Sequence, residues 1–269
     1  MTQRYEKTFA KLKAGGEQAF IPFTLLGWPD AEKSFDIIKT MIDAGASALE
    51  LGFAFSDPVA DGPIIQAAAF ETIEANFGLD NAFALLKRVR EYNADVPIGL
   101  LLYFNTVLSQ GVERFFQRAA ESGVDSILIA DLPAECADEI SGAAKKFEIA
   151  PVFIISPLTT SERLAAIASV ARGYLYVVSR LGITGVHESF DTDLSQLLAD
   201  AKKVSQLPLC VGFGVSTPEQ ARRMIEQGAD GVITGSRIIQ LVRESHDLSA
   251  LTTYIKEMLS TTRSAVNHR

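Results

Sequence analysis

Apolar positions in this chain follow two alternating patterns. Short unbroken apolar runs at Ala19–Leu25, Ala48–Phe53, Ile98–Tyr103, Ser126–Ile129, Ala150–Ile155, Tyr174–Val178, Leu209–Gly212 and Gly231–Thr234 read as strands buried on both faces. Between them, apolar residues recur three or four apart, as at Phe35, Ile38, Met41 and Ile42, which is helical spacing. This predicts helices over Tyr5–Ala14, Ala31–Ala44, Ile64–Asn76, Asp80–Tyr92, Val112–Ser122, Ala134–Phe147, Ser161–Ala171, Leu194–Val204, Thr217–Gln227, Ile238–Val242 and Leu248–Leu259. Trp28 falls in the turn Gly27-Trp28-Pro29-Asp30 and is expected on a surface loop.

A weak internal repeat accompanies the alternation. Gly45-Ala46-Ser47, Gly123-Val124-Asp125 and Gly228-Ala229-Asp230 each close a helix and launch an apolar strand. Eight strands alternating with helices, without a long linker, predict an α/β fold: one (β/α)8 TIM barrel with an extra N-terminal helix, residues 1–269 forming a single domain. A doubly wound open sheet competes, but the Gly-x-Gly-x-x-Gly turn after the first strand is missing.

With 269 residues, 48% of them hydrophobic, the chain can bury one large core. A net charge of −8 and no basic run longer than two residues argue against nucleic acid or an anionic membrane as partner. Cys136 and Cys210 fit no redox or metal spacing, and His187, His246 and His268 are scattered, so no zinc site is expected. The opening residues lack the apolar core of a signal peptide, and the stretch Ala19–Leu26 contains Pro22 and is too short to span a bilayer. A reduced, soluble, cytoplasmic protein is expected.

The chemistry is expected between Leu49 and Pro63. Glu50 interrupts an apolar strand, where a carboxyl is costly unless it is paired, neutralised or used. Asp61 follows on a loop able to fold back over the strand end. Together they suit an acid/base pair; separately, Glu50 reads as a hydrogen-bonded core acid and Asp61 as a turn or cap residue. Glycine-rich turns after the last two strands, Gly212-Phe213-Gly214-Val215-Ser216 and Thr234-Gly235-Ser236-Arg237, occupy the usual phosphate position of such barrels, although glycine there is also plain turn chemistry. The segment from Ser179 to His187 reads as a lid or as a solvent loop. Tyr174 and Tyr176 share one face of the sixth strand and read as core or helix-facing filler.

These motifs, Leu49-Glu50-Leu51-Gly52, Phe55-Ser56-Asp57-Pro58-Val59-Ala60-Asp61-Gly62-Pro63, Ser179-Arg180-x-Gly182-x-Thr184-Gly185, Gly212-Phe213-Gly214 and Gly235-Ser236, resemble in order those of the tryptophan synthase α-subunit family. The resemblance implies a lyase splitting indole-3-glycerol phosphate into indole and glyceraldehyde 3-phosphate. It implies Glu50 as general acid/base and Asp61 as the group stabilising the indolenine. Gly185, Gly214, Gly235 and Ser236 match phosphate donors, Phe23, Leu101, Tyr176 and Phe213 line the indole slot, and Thr184 is a lid residue. No cofactor or metal is implied for this chain; pyridoxal phosphate is expected on a partner β subunit, in an αββα assembly that receives indole through a tunnel. Two positions depart from the family pattern. Ala54 stands where a proline is usual, which predicts a freer loop, and Trp28 stands where many relatives have aspartate. A phosphate-sensing docking module and another phosphate-handling barrel are the competing readings; the indole-glycerol phosphate synthase would need a strand lysine, absent from the strands read here.

Overall fold

The computed structural model describes residues 3–179, 190–245 and 247–264. The chain opens with α1 (Gln3–Ala14), β1 (Ala19–Leu25), α2 (Ala31–Asp43), β2 (Leu49–Gly52), α3 (Pro63–Glu74), α4 (Leu79–Tyr92) and β3 (Ile98–Leu102). It continues with α5 (Phe104–Gln110), α6 (Val112–Glu121), β4 (Ser126–Ile129), a single 3-10 turn (Ala134–Cys136), α7 (Asp138–Lys146), β5 (Ala150–Ile155) and α8 (Ser161–Val170). Last come β6 (Leu175–Val178), α9 (Phe190–Val204), β7 (Leu209–Gly212), α10 (Pro218–Glu226), β8 (Gly231–Thr234), α11 (Ser236–Glu244) and α12 (Ser249–Ser264).

All eight strands pair in parallel and in chain order, and β8 closes back on β1 with Ala19 beside Gly231. This is a closed (β/α)8 barrel with the extra helix α1 in front, as the alternation predicts. Helix ends explain the repeat. Gly45, Gly123 and Gly228 have φ of +99°, +78° and +110°, so each ends its helix in the left-handed conformation that glycine adopts without strain.

Alternation along each strand divides the core in two. Leu49, Leu51, Leu100 and Val211 face the helices, while Ile21, Leu128, Val152, Tyr176, Cys210 and Ile233 fill the lumen. Helix α1 caps the N-terminal mouth. Its Tyr5 is buried in the lumen, accepts a hydrogen bond from Ser126 Oγ at 3.0 Å and packs 5.7 Å from the Tyr174 ring. Gly99 makes room for it: a Cβ there would lie 2.9 Å from the Tyr5 hydroxyl. Buried Asp125 fastens the same helix by accepting from Arg4 at 3.0 Å, Arg90 at 2.9 Å and the Ile98 amide at 2.9 Å.

One element is absent from the predicted pattern, and two local expectations are corrected. The segment after β3 forms α5, seven residues too short to display a helical period. Ala134–Phe147 is not one helix; i→i+3 bonds from Cys136 to Pro133 and from Ala137 to Ala134 form a tight turn before Asp138 and Glu139 open α7. Trp28 is not on the surface but 2% exposed, packed in the main core just before the cis Trp28–Pro29 peptide. Among the described residues no helix is long and apolar enough to cross a membrane.

Candidate active site

Glu50 is the second residue of β2, in register with Phe23 on β1 and Gly99 on β3. Alternation that sends Leu49 and Leu51 outward sends Glu50 into the lumen, where it is 2% exposed. Its Oε1 accepts a hydrogen bond from Tyr174 Oη at 3.1 Å. Burial raises the carboxyl pKa from 4.5 to about 8; the Tyr174 bond pulls it down, and the nearby Asp61 charge pushes it further up. The group is therefore mostly a neutral acid at pH 7, yet within reach of its carboxylate form.

Asp61 lies on the loop between β2 and α3. Turn bonds from the Val59 amide to Asp57 and from the Asp61 amide to Pro58 coil that loop. Tyr103, just after β3, holds its tip: the hydroxyl donates to Asp61 Oδ2 at 3.0 Å and accepts from the Ala60 amide at 3.0 Å. Phe55 stacks on the Tyr103 ring at 5.0 Å. Burial raises the Asp61 pKa and the Tyr103 bond opposes it. The Tyr103 phenol is itself raised, first by burial and then by the Asp61 charge, and stays a donor.

Phe23, Leu101 and Tyr176 all face the barrel interior around these acids. Phe23 is buried with its ring against Gly52 and Gly235, where a Cβ would approach it within 2.8 and 2.9 Å. Tyr176 is buried over Gly212, whose missing side chain leaves room for the phenol. Leu101 packs against both core layers. Phe213 differs from the other three. It is 42% exposed at the rim with φ of +68°, and its carbonyl is tied to Ser179 Oγ at 2.6 Å.

The two glycine turns meet at this rim. Gly235 caps α11 and Ser236 begins it; the Ile238 and Ile239 amides bond back to the Gly235 carbonyl at 2.9 and 3.3 Å, which leaves the amides just before them, at the positive end of the helix, for an anion. Gly214 lies on the adjoining turn after β7. Gly185, Thr184 and His187 lie outside the described residues, as do His246 and His268. Among the described residues no group of His, Cys, Asp and Glu is arranged to hold a metal ion. A separate cleft of about 530 Å³ opens at the opposite mouth, between α1 and the turns at 171–173 and 204–208, and contains neither carboxyl.

A lumen acid near neutrality, a loop carboxylate beside it and an anion-ready rim form one constellation. The sequence model described as "Tryptophan synthase alpha chain" matches residues 9–267. The chain belongs to the tryptophan synthase alpha chain family. The alpha chain of Methanothermobacter thermautotrophicus is 45% identical over 248 residues, 92% of each chain. That of Vibrio vulnificus is 40% identical over 266 residues, 97% of this chain and 99% of its own. The crystal structure of the Legionella pneumophila tryptophan synthase subunit alpha superposes over 100% of both chains with a TM-score of 0.89 at 33% identity. Mycobacterium tuberculosis tryptophan synthase gives 0.89 at 28% identity, over 98% of this chain and 99% of that one.

Against this alpha-chain frame, sequence reasoning missed three site residues. Tyr174, which reads as filler, donates to Glu50; Tyr103, with no local signal of a role, holds Asp61; Gly212, which reads as turn chemistry, is the space under Tyr176. Strand parity could have found Tyr174, since it shares its face with Tyr176.

Proposed function

We propose that this alpha chain cleaves indole-3-glycerol phosphate to indole and glyceraldehyde 3-phosphate. The observation that carries the reading is Glu50, a strand carboxyl with one phenolic donor and a pKa raised to about 8. The neutral acid gives its proton to indole C3 while the Asp61 carboxylate accepts the ring N–H hydrogen bond and stabilises the cationic indolenine. The Glu50 carboxylate then takes the proton of the glycerol hydroxyl nearest the ring. The C–C bond breaks, its electron pair returns to the ring, and Glu50 is left protonated for the next cycle. Phe23, Leu101, Tyr176 and Phe213 line the slot for the bicycle; Gly185, Gly214, Gly235 and Ser236 are assigned to the phosphate, and Thr184 to the lid. None of the eight strands carries a lysine, which speaks against the synthase reading.

The expected partner is a tryptophan synthase β subunit bearing pyridoxal phosphate, in an α2β2 assembly. Support comes from the segments that follow β2, β3 and β5, where Val59, Leu108 (on α5) and Leu158 are 83, 50 and 72% exposed despite being apolar. The deciding assay is indole release from indole-3-glycerol phosphate, with and without a β subunit. Glu50→Gln is expected to abolish release and keep substrate binding. Turnover retained by that variant removes Glu50 from its role, and no wild-type turnover under either condition favours the docking module.

A further inference from the structure

Trp28, buried where a loop residue was expected, has one polar atom to satisfy. Its Nε1 donates to Glu71 Oε2 at 2.6 Å, and a buried indole N–H without such an acceptor is costly. The other Glu71 oxygen accepts from Arg243 Nη2 at 2.6 Å, and the Arg243 guanidinium lies 5.4 Å from the Trp28 ring centroid. Three elements meet in this cluster, and each leads to a different part of the site. Trp28 follows β1, which carries Phe23. Glu71 lies on α3, the helix that starts two residues after Asp61. Arg243 lies in the last turn of α11, whose first turn is the anion-ready end.

The two helices are joined at both ends. Near the rim, a Cβ on Gly235 would lie 3.4 Å from Ile65 Cδ1, so the first turn of α3 abuts the start of α11. Farther down, Glu71 and Arg243 pair under Trp28. At the top of α3, Gln66 Nε2 donates to the Asp61 carbonyl at 2.8 Å and ties the loop acid to the helix. These contacts run without a break from the start of α11 through α3 to the Asp61 loop.

We propose that Trp28, with Glu71 and Arg243, is a positioning residue that clips the Asp61 helix to the phosphate helix, so that filling the phosphate end orders the indole end. This rests on the reading that the α11 turn holds phosphate. Glycerol 3-phosphate and indole represent the two halves of the substrate, and calorimetry of each with and without the other measures their coupling. In the wild type, glycerol 3-phosphate is expected to tighten indole binding about fivefold or more. Trp28→Phe keeps the ring but loses the donor, and Glu71→Gln keeps an acceptor but loses the ion pair. In both, the coupling factor is expected to fall to within about twofold of unity, while each ligand alone binds near its wild-type affinity and melting curves confirm folding. Trp28 is the chain's single tryptophan, so its emission is a second readout. It should respond to glycerol 3-phosphate in the wild type and stop responding in Glu71→Gln. Coupling that survives both substitutions, or emission indifferent to a phosphate that calorimetry shows bound, overturns the clip alone. Absence of glycerol 3-phosphate binding to the wild type overturns the phosphate reading and the clip with it.

Discussion

The Tyr174 hydroxyl, from the residue just before β6, donates to Glu50 Oε1 on β2 at 3.1 Å across the lumen. This bond stabilises the charged carboxylate, whereas burial stabilises the neutral acid, and burial wins, leaving the pKa at about 8. The opposition between the two effects has a direct kinetic consequence. Tyr174→Phe removes the hydrogen bond that pulls Glu50 towards the carboxylate, so the Glu50 pKa rises. The basic limb of kcat/KM, set near pH 8 by loss of the Glu50 proton in the free enzyme, is expected to move to higher pH. A limb that stays in place or moves to lower pH contradicts this origin.

Stability depends on the same carboxyl. Its pKa is higher folded, about 8, than the ordinary 4.5, so the folded state binds the proton more tightly. The resulting stabilisation is complete below about pH 4.5 and is lost as pH rises through 8. Glu50→Gln cannot ionise and should melt several degrees above wild type at pH 9, with the gap shrinking towards acid pH. Thermal melts across pH 5–9 measure the difference, and a gap of constant size would count against the raised pKa.

Tyr103 acts on Asp61 in the opposite direction to burial. Removing its hydroxyl in Tyr103→Phe takes away the donor that favours the Asp61 carboxylate and leaves the Ala60 amide without its acceptor. The Asp61 pKa is expected to rise, so the acid limb of the pH–rate profile moves up in pH. At neutral pH kcat should fall about tenfold, less than the hundredfold or more expected for Asp61→Asn. Equal losses in the two variants would mean that the phenol does more than hold the loop.

A Cβ on Gly235 would sit 2.9 Å from Phe23 Cδ1 and 3.4 Å from Ile65 Cδ1. Gly235→Ala is therefore expected to push the α11 turn out of place and raise KM about tenfold, equivalent to ~1.4 kcal/mol. Indole binding without phosphate should change less. An unaltered KM would place the phosphate elsewhere.

The strands were legible because each is a short apolar run bounded by turn residues; β1, β4, β5, β7 and β8 have the expected bounds. Glu50 was legible because an acid inside such a run is anomalous. Tyr174 and Tyr103 were not, since aromatic residues at strand ends fit a core as well as a site, and only closure of the barrel brings residues 124 positions apart into contact. Trp28 was misplaced for a related reason. Gly, Pro and Asp around it signal a turn, and nothing local reveals that Glu71 and Arg243 form its pocket.

Tyr5 turns the lumen into a blind well. Bulk solvent cannot rise to Glu50 from the floor, which keeps the acid dry, and whatever is released above it must depart through the entrance it came by. A neighbour seated over that entrance would take delivery there, whereas shortening the first helix would open a leak beneath the reacting carboxyl.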